Sequence, residues 1–336
     1  MHYTGAFFFI PSYLMQNTKP HTSCDEQIEI LLKRGMHIQD IHYAKQCLTQ
    51  ISYYRLSGFW HICRKIKLDN NQQIILSEKT KKPIRLEEFE QNTNFDEIIN
   101  LYNFDKKLRL LMLDAIETIE IYLRTIIGNK IGYYSPLAYK KTNFIKPKQL
   151  EKINKNGKVT SIWQEFLDKQ NNQLKRSKED YIFWHKKNYS EIPFWVIIET
   201  WDFGLLSKYY ELLTNEYQNE ICNSLEIENR ELLTEWLQAI NILRNKSAHH
   251  SRIWNLYNNN PLKFISNAYF DNLNLDKNAS HRIYGLICII NFLLQKICPS
   301  NSWIKEVAEL INTKPNLPNC YFSSMGINSE NELNIK

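Results

Sequence analysis

Residues 95–127 read FDEIINLYNFDKKLRLLMLDAIETIEIYLRTII, and in them Leu101, Phe104, Leu108, Leu111, Ala115, Ile119, Tyr122 and Ile126 recur at spacings of three and four with no Gly or Pro between. That period predicts one long amphipathic helix. Two i,i+4 charge pairs, Asp105 with Arg109 and Glu120 with Arg124, decorate it, and Glu117 stands one turn before the second pair. Exposed pairs of this kind contribute only ~0.3–0.5 kcal/mol each, so the pattern reads first as a solvated face.

The same period recurs downstream. Ile192-Pro193-Phe194-Trp195 opens an apolar segment that runs through Ile198, Trp201, Leu205 and Tyr209; Leu232, Leu233, Trp236, Leu237, Ile240 and Leu243 form the next; Tyr284 to Ile297 forms a last one, ended by Pro299. Together with the 95–127 helix these predict an all-α fold whose four main helices make a bundle.

Upstream, Ser23-Cys24-Asp25-Glu26 is a capping-box pattern opening the run Ile28, Leu31, Leu32, which stops at Gly35. A second helix is expected from Ile38 to Ile51, delivering the chain to Tyr53-Tyr54-Arg55-Leu56-Ser57-Gly58-Phe59-Trp60. That aromatic cluster reads either as a packed corner or as an RNA-stacking surface through Tyr53, Tyr54 and Arg55. Residues 66–94 are polar, broken at Asp69-Asn70-Asn71 and Pro83, and suit a hairpin or an excursion. The expected organisation is an extension (1–19), a small, mostly helical N-terminal domain (20–94), a helical domain (95–300) with a basic insertion at 130–190, and a tail (301–336) that is poorly ordered from Thr313 on, where Pro315 and Pro318 fall.

Composition narrows the class. With 43% hydrophobic and 23% charged residues, and only 9 Gly and 10 Pro in 336, the chain reads as globular rather than disordered. The seven cysteines (Cys24, Cys47, Cys63, Cys222, Cys288, Cys298, Cys320) are odd in number and never spaced C-x-x-C, which indicates neither a disulfide framework nor a zinc site. No metal site and no cofactor is expected. The apolar run Ala6–Ile10 lacks a basic flank and a cleavage site, and no stretch approaches the ~18 apolar residues of a spanning helix, so the expectation is a cytoplasmic protein with no membrane partner.

The net charge of +6 is unevenly spread. Residues 130–190 hold fourteen Lys/Arg against five Asp/Glu, a local +9 that leaves −3 for the rest. Lys140, Lys141, Lys146, Lys148, Lys175, Arg176, Lys186 and Lys187 lie there among Tyr139, Phe144, Tyr181, Phe183 and Trp184, offering phosphate contact and base stacking side by side. RNA is the expected partner of this segment, the alternative being a solvated lysine-rich face.

Where the Leu232–Leu243 period runs out, the chain reads Leu243-Arg244-Asn245-Lys246-Ser247-Ala248-His249-His250, with the core R-N-x-x-x-H. Imidazole titrates near neutrality, so His249 can take the 2′-OH proton or give one to the departing 5′-oxygen. Guanidinium matches phosphate bidentately, so Arg244 can hold the scissile group, and the Asn245 amide can orient imidazole or ribose. On an unbroken helix Asn245 and His249 share a face, but Arg244 and His249 stand ~140° apart, so they converge only if the helix end is distorted or a second chain contributes. Cleavage with acid and base on opposite sides of the phosphate therefore suggests a homodimer in the RNA-free state. His250 reads as a supporting, helix-terminal residue.

These blocks, in order, carry a resemblance. Tyr53-Tyr54-Arg55-Leu56-Ser57-Gly58, Phe104-Asp105 with Leu108-Arg109, Ile116-Glu117 with Ile119-Glu120 and Arg124, Pro193-Phe194-Trp195 with Phe203-Gly204, and Arg244-Asn245 with Ala248-His249-His250, Arg252 and Trp254-Asn255 resemble the Abi-like family of abortive-infection proteins (AbiD/AbiF type) over roughly residues 20–300. The resemblance implies a HEPN (higher eukaryotes and prokaryotes nucleotide-binding) four-helix domain, related to the ribonuclease halves of type VI CRISPR effectors. It further implies a metal-independent endoribonuclease leaving 2′,3′-cyclic phosphate and 5′-OH ends, with Arg244, Asn245 and His249 catalytic and Glu117 or Glu120 bracing them. Ile253 stands where Leu is commoner and Phe194 where Trp is common. AbiF-like relatives suggest a small noncoding RNA as a restraining partner. The competing reading is a non-catalytic RNA-binding protein of the same fold, held in a ribonucleoprotein.

Overall fold

The computed structural model describes residues 18–153 and 159–328, so the Ala6–Ile10 run, residues 154–158 and the last eight positions lie outside the described residues. The chain divides into two compact units, residues 1–98 and 99–336.

In the first unit the capping box forms as the sequence predicts: the Ser23 side chain accepts the Glu26 N–H and the Ser23 N–H donates to Glu26 Oε2. It starts α1 (Cys24–Lys33), which meets α2 (Ile41–Ile51), N-capped by Asp40. The α2 start lies three residues after the expected Ile38 because Asp40 accepts the Tyr43 N–H there. The aromatic cluster is α3 (Tyr53–Trp60), with Tyr53, Leu56, Phe59 and Trp60 buried. The polar stretch after it carries an antiparallel pair, β1 (Arg64–Ile66) with β2 (Arg85–Phe89), irregular between Arg64 and Ile66.

The long helix exists and is longer than its sequence pattern predicts. Helix α4 runs Phe95–Tyr134, past Ile127 and through Gly128 and Gly132. Glycine lowers helix propensity by about 1 kcal/mol, which is why the pattern reads as ending there. In the fold both glycines allow close neighbours: a Cβ at Gly132 would stand 3.2 Å from the Trp195 ring, and one at Gly128 would stand 3.3 Å from Ile198 Cγ2.

Beyond α4 come the short antiparallel strands β3 (Lys152–Ile153) and β4 (Val159–Thr160), then α5 (Ile162–Arg176), α6 (Asp180–Asn188), α7 (Phe194–Ile197), α8 (Phe203–Leu212), α9 (Asn215–Asn223), α10 (Arg230–Ala248), α11 (Ala268–Asn272), α12 (Lys277–His281), α13 (Ile283–Ile297) and α14 (Trp303–Asn312). The fold is all-α, with strands confined to two small pairs among the described residues. Helix α10 lies against α8 and α13, and Ile119 and Leu123 of α4, Leu233 and Leu237 of α10 and Leu293 and Ile297 of α13 enclose a gap too small for water. Helix α13 is apolar nearly all round and is correspondingly buried from Ile283 to Leu294.

Three expectations need correction. The 192–209 segment is not one helix, because the Asp202 side chain accepts the Leu205 N–H and starts α8 afresh. The charge pairs of α4 are not on a solvated face: Asp105, Arg109 and Glu120 are all buried. Residues 313–328 are not a loose tail, since Leu317, Cys320, Met325 and Ile327 are buried and the Lys314 ammonium donates to the Cys320 carbonyl at 2.6 Å and the Pro315 carbonyl at 3.2 Å. Within the span assigned to that tail, α14 is anchored by Trp303, whose indole N–H donates to the Leu111 carbonyl at 2.7 Å.

Candidate functional site

Helix α10 carries the R-N-x-x-x-H residues. Asn229 caps its start by accepting the Leu232 N–H at 2.9 Å, and Leu232, Leu233, Trp236, Leu237, Ile240, Leu243 and Ser247 form its buried face. The opposite edge is Gln238, Ile242, Asn245 and His249, at i, i+4, i+7 and i+11, all exposed. Asn245 and His249 therefore sit one turn apart on a solvent-facing edge.

The helix end is regular. The His249 N–H still donates to the Asn245 carbonyl at 2.9 Å, so the helical path persists through the motif. The next N–H groups, of His250 and Ser251, donate back to the Ser247 and Lys246 carbonyls, and His250 has φ 58°. This is a Schellman cap with His250 at its left-handed position. Because no distortion intervenes, Arg244 stays on a different flank from His249; it is half-buried, and its Nη1 lies 3.4 Å from Asn245 Oδ1.

That flank faces acidic groups. Glu120 pairs with Arg124, whose guanidinium also donates to the Trp201 carbonyl at 2.6 Å and 3.1 Å. Burial pushes the Glu120 carboxyl above the ordinary glutamate range; Arg124 and Arg244 pull it back, and Asp202 and Glu117 push it further. Glu120 and Arg244 thus feel each other's charge, while Glu117 is exposed. Asp202 takes no direct part: its Oδ1 caps α8 and its Oδ2 accepts the Gln173 amide at 2.7 Å. Gly204 leaves room beside it, since a Cβ there would stand 3.3 Å from Asp202 Oδ1, and Asn241, one turn before Asn245, lies next to the same point.

After the cap the chain is pinned by α4. Asp105 Oδ1 accepts the N–H groups of Ile253 at 2.8 Å and Trp254 at 2.7 Å, while Asp105 Oδ2 pairs with Arg109. Burial pushes this carboxyl up, against the pull of the two amides and of Arg109 and Arg252.

A model of the Abi-like protein family matches residues 46–255, more than half the chain and the whole stretch from α3 to the pinned turn. The chain belongs to the Abi-like protein family. Membership implies a part in abortive infection. No curated protein and no solved structure matches the chain.

The other predicted RNA-contacting residues of this Abi-like protein are scattered. Tyr53 is core, its hydroxyl accepting from Arg34 Nη1 at 3.0 Å, whereas Tyr54 is 65% exposed and Arg55 is exposed too. Tyr139 and Phe144 are buried, and Lys146 turns inward, donating to the Glu211 carbonyl at 3.1 Å and to Gln218 Oε1 at 2.8 Å. Lys140 pairs with Glu191. Lys141, Lys148, Lys175, Arg176, Lys186 and Lys187 are exposed, as is Trp184. From the sequence Asp105 read as one of a solvated charge pair and as part of a family block, and Asp202 and Asn241 were not singled out. The signal for Asp202 was its place directly before Phe203-Gly204, and that for Asn241 its i−4 spacing from Asn245. Among the described residues no helix is long and apolar enough to cross a membrane.

Proposed function

We propose that this chain is an abortive-infection endoribonuclease of the HEPN type, using Arg244, Asn245 and His249. The observation that carries the reading is the exposed edge of α10, where the His249 imidazole and Asn245 amide stand one turn apart beside an Arg244 electrostatically coupled to Glu120. A neutral His249 removes the ribose 2′-OH proton as the 2′-oxygen bonds to phosphorus; the P–O5′ bond breaks, and an imidazolium supplies the proton that leaves with the 5′-oxygen. The products are a 2′,3′-cyclic phosphate and a 5′-OH. Arg244 neutralises charge gathering on the phosphoryl oxygens, and ionised Glu120 keeps its guanidinium oriented.

Because α10 is regular through the motif, the acid and base come from two chains meeting along this edge. A small noncoding RNA restrains the enzyme by occupying the exposed lysines of the 130–190 segment and Trp184. The test is incubation of purified full-length protein with end-labelled single-stranded RNA in EDTA. Cleavage lost in His249→Ala supports the reading. Tight binding by the wild type with no cleavage replaces it with a non-catalytic ribonucleoprotein role.

A further inference from the structure

A cleft of about 540 Å³ opens between α5 and α8, and Asn241 of α10 forms part of its wall. Lys169, Asn172 and Arg176, at i, i+3 and i+7 of α5, line one side, and Lys208 lies on the α8 side. Lys208 is tied to Glu211 at 3.1 Å, but Lys169 and Arg176 have no ion-pair partner among the described residues. One amide side chain points to a ligand rather than to a solvated groove. Gln173 donates through its Nε2 to Asp202, yet among the described residues its buried Oε1 has no donor, an unfavourable state that a partner would relieve. Glu165 and Asp202 also line the cleft, where the three cations Lys169, Arg176 and Lys208 outnumber them by one.

The cleft reaches the motif helix α10 at Asn241. Asn241 precedes Asn245 by one helical turn and His249 by two, a rise of ~12 Å along the axis. We infer that the cleft holds the single-stranded RNA that flanks the scissile phosphate. Lys169, Arg176 and Lys208 take backbone phosphates, and Gln173 and Asn241 meet a base or ribose edge. This rests on the ribonuclease reading of Arg244, Asn245 and His249, and extends the substrate footprint to the cleft beside them.

The test uses full-length His249→Ala protein, a fluorescently labelled single-stranded RNA of mixed sequence, and anisotropy titrations over ~50–300 mM salt. Adding Lys169→Gln and Arg176→Gln should weaken binding and flatten the slope of log affinity against log salt by about 1.4, or ~0.7 for each phosphate no longer neutralised. Lys106→Gln with Lys107→Gln, exposed on α4 and outside the cleft, removes the same charge and should change the slope far less. Asn241→Ala should alter the affinity ranking among homopolymeric RNAs and leave the slope alone. All these positions lie at the surface or the cleft wall, and circular dichroism checks that each variant folds. An unchanged slope in the Lys169/Arg176 variant, or an equal change in the Lys106/Lys107 control, overturns the cleft assignment, while cleavage by the wild type keeps the ribonuclease reading. A wild type that neither binds nor cuts RNA overturns both.

Discussion

Asp105 accepts the backbone N–H of Trp254 at 2.7 Å across 149 positions of sequence, and the same oxygen accepts the Ile253 N–H. One carboxylate on α4 therefore fixes where the chain goes after the motif helix. Removing it strands two buried amides and the Arg109 guanidinium, and breaking a buried pair from one side costs about 3–5 kcal/mol. Asp105→Ala should lose that much stability in urea unfolding, and Asp105→Asn less, because its amide oxygen can still accept. A loss below ~1 kcal/mol in the alanine variant would show that Asp105 does not hold this turn.

His249→Ala should remove cleavage and growth toxicity together while leaving the melting temperature near that of the wild type, because the side chain is exposed and a catalytic imidazole contributes ~10²–10⁴ in rate. Arg244→Lys should also fail, since the charge survives and the bidentate fork does not. If His250→Ala abolishes cleavage and His249→Ala does not, the catalytic assignment is off by one residue.

His250 occupies the left-handed position of the cap with φ 58°, where a side chain costs ~1 kcal/mol that glycine avoids. His250→Gly should therefore raise stability by a few tenths to ~1 kcal/mol and leave RNA cleavage intact. A clear destabilisation would mean that the imidazole itself holds the helix end.

How much of this was legible in the sequence differs from element to element. The α4 period, the Ser23 capping box and the apolar face of α10 could be read directly, because regular spacing and a cap each have one structural meaning. The depth of Asp105 and Glu120 could not, because i,i+4 spacing says that two residues share a face but not whether another helix covers it. Residues 313–328 misled for a related reason: Leu317, Cys320 and Met325 are buried without any period. The cap after His249 was hidden because His250 stands where glycine would have signalled it. The sequence placed Arg244, Asn245 and His249 at the end of one helix, and their separation around α10 followed from helical geometry alone.

Glu120 gives the protein a pH signature. Its carboxyl is raised in the fold by burial, so between the ordinary glutamate value of ~4.3 and the raised one the folded chain holds the proton more often than the unfolded chain does. Stability from this group is greatest below that window and falls as pH rises through it. Thermal melts from pH 4 to 7 should show wild type losing stability relative to Glu120→Gln as pH increases, with a constant difference above the window. Cleavage should run the opposite way, because only ionised Glu120 braces Arg244. A difference between the two proteins that does not vary with pH would remove Glu120 from this role.

The exposed edge of α10 makes the strongest prediction. An unbroken helix leaves Arg244 and His249 ~140° apart, too far round to grip one phosphate from a single chain. Ile242, 54% exposed, lies on that edge one turn before Asn245 and Lys246, and a two-fold contact along it would cover the isoleucine and bring one copy's Arg244 toward the other's His249. Light scattering of RNA-free protein should give twice the mass of one chain. Ile242→Glu, which sets like charges against each other across the axis, should halve that mass and abolish cleavage together. Mixing wild-type and His249→Ala chains in equal amounts should leave active only the quarter of dimers that carry both imidazoles, half the activity that the same wild-type chains show alone. A mixture that keeps the full activity of its wild-type chains, or a monomer that cuts RNA, rules out the shared site.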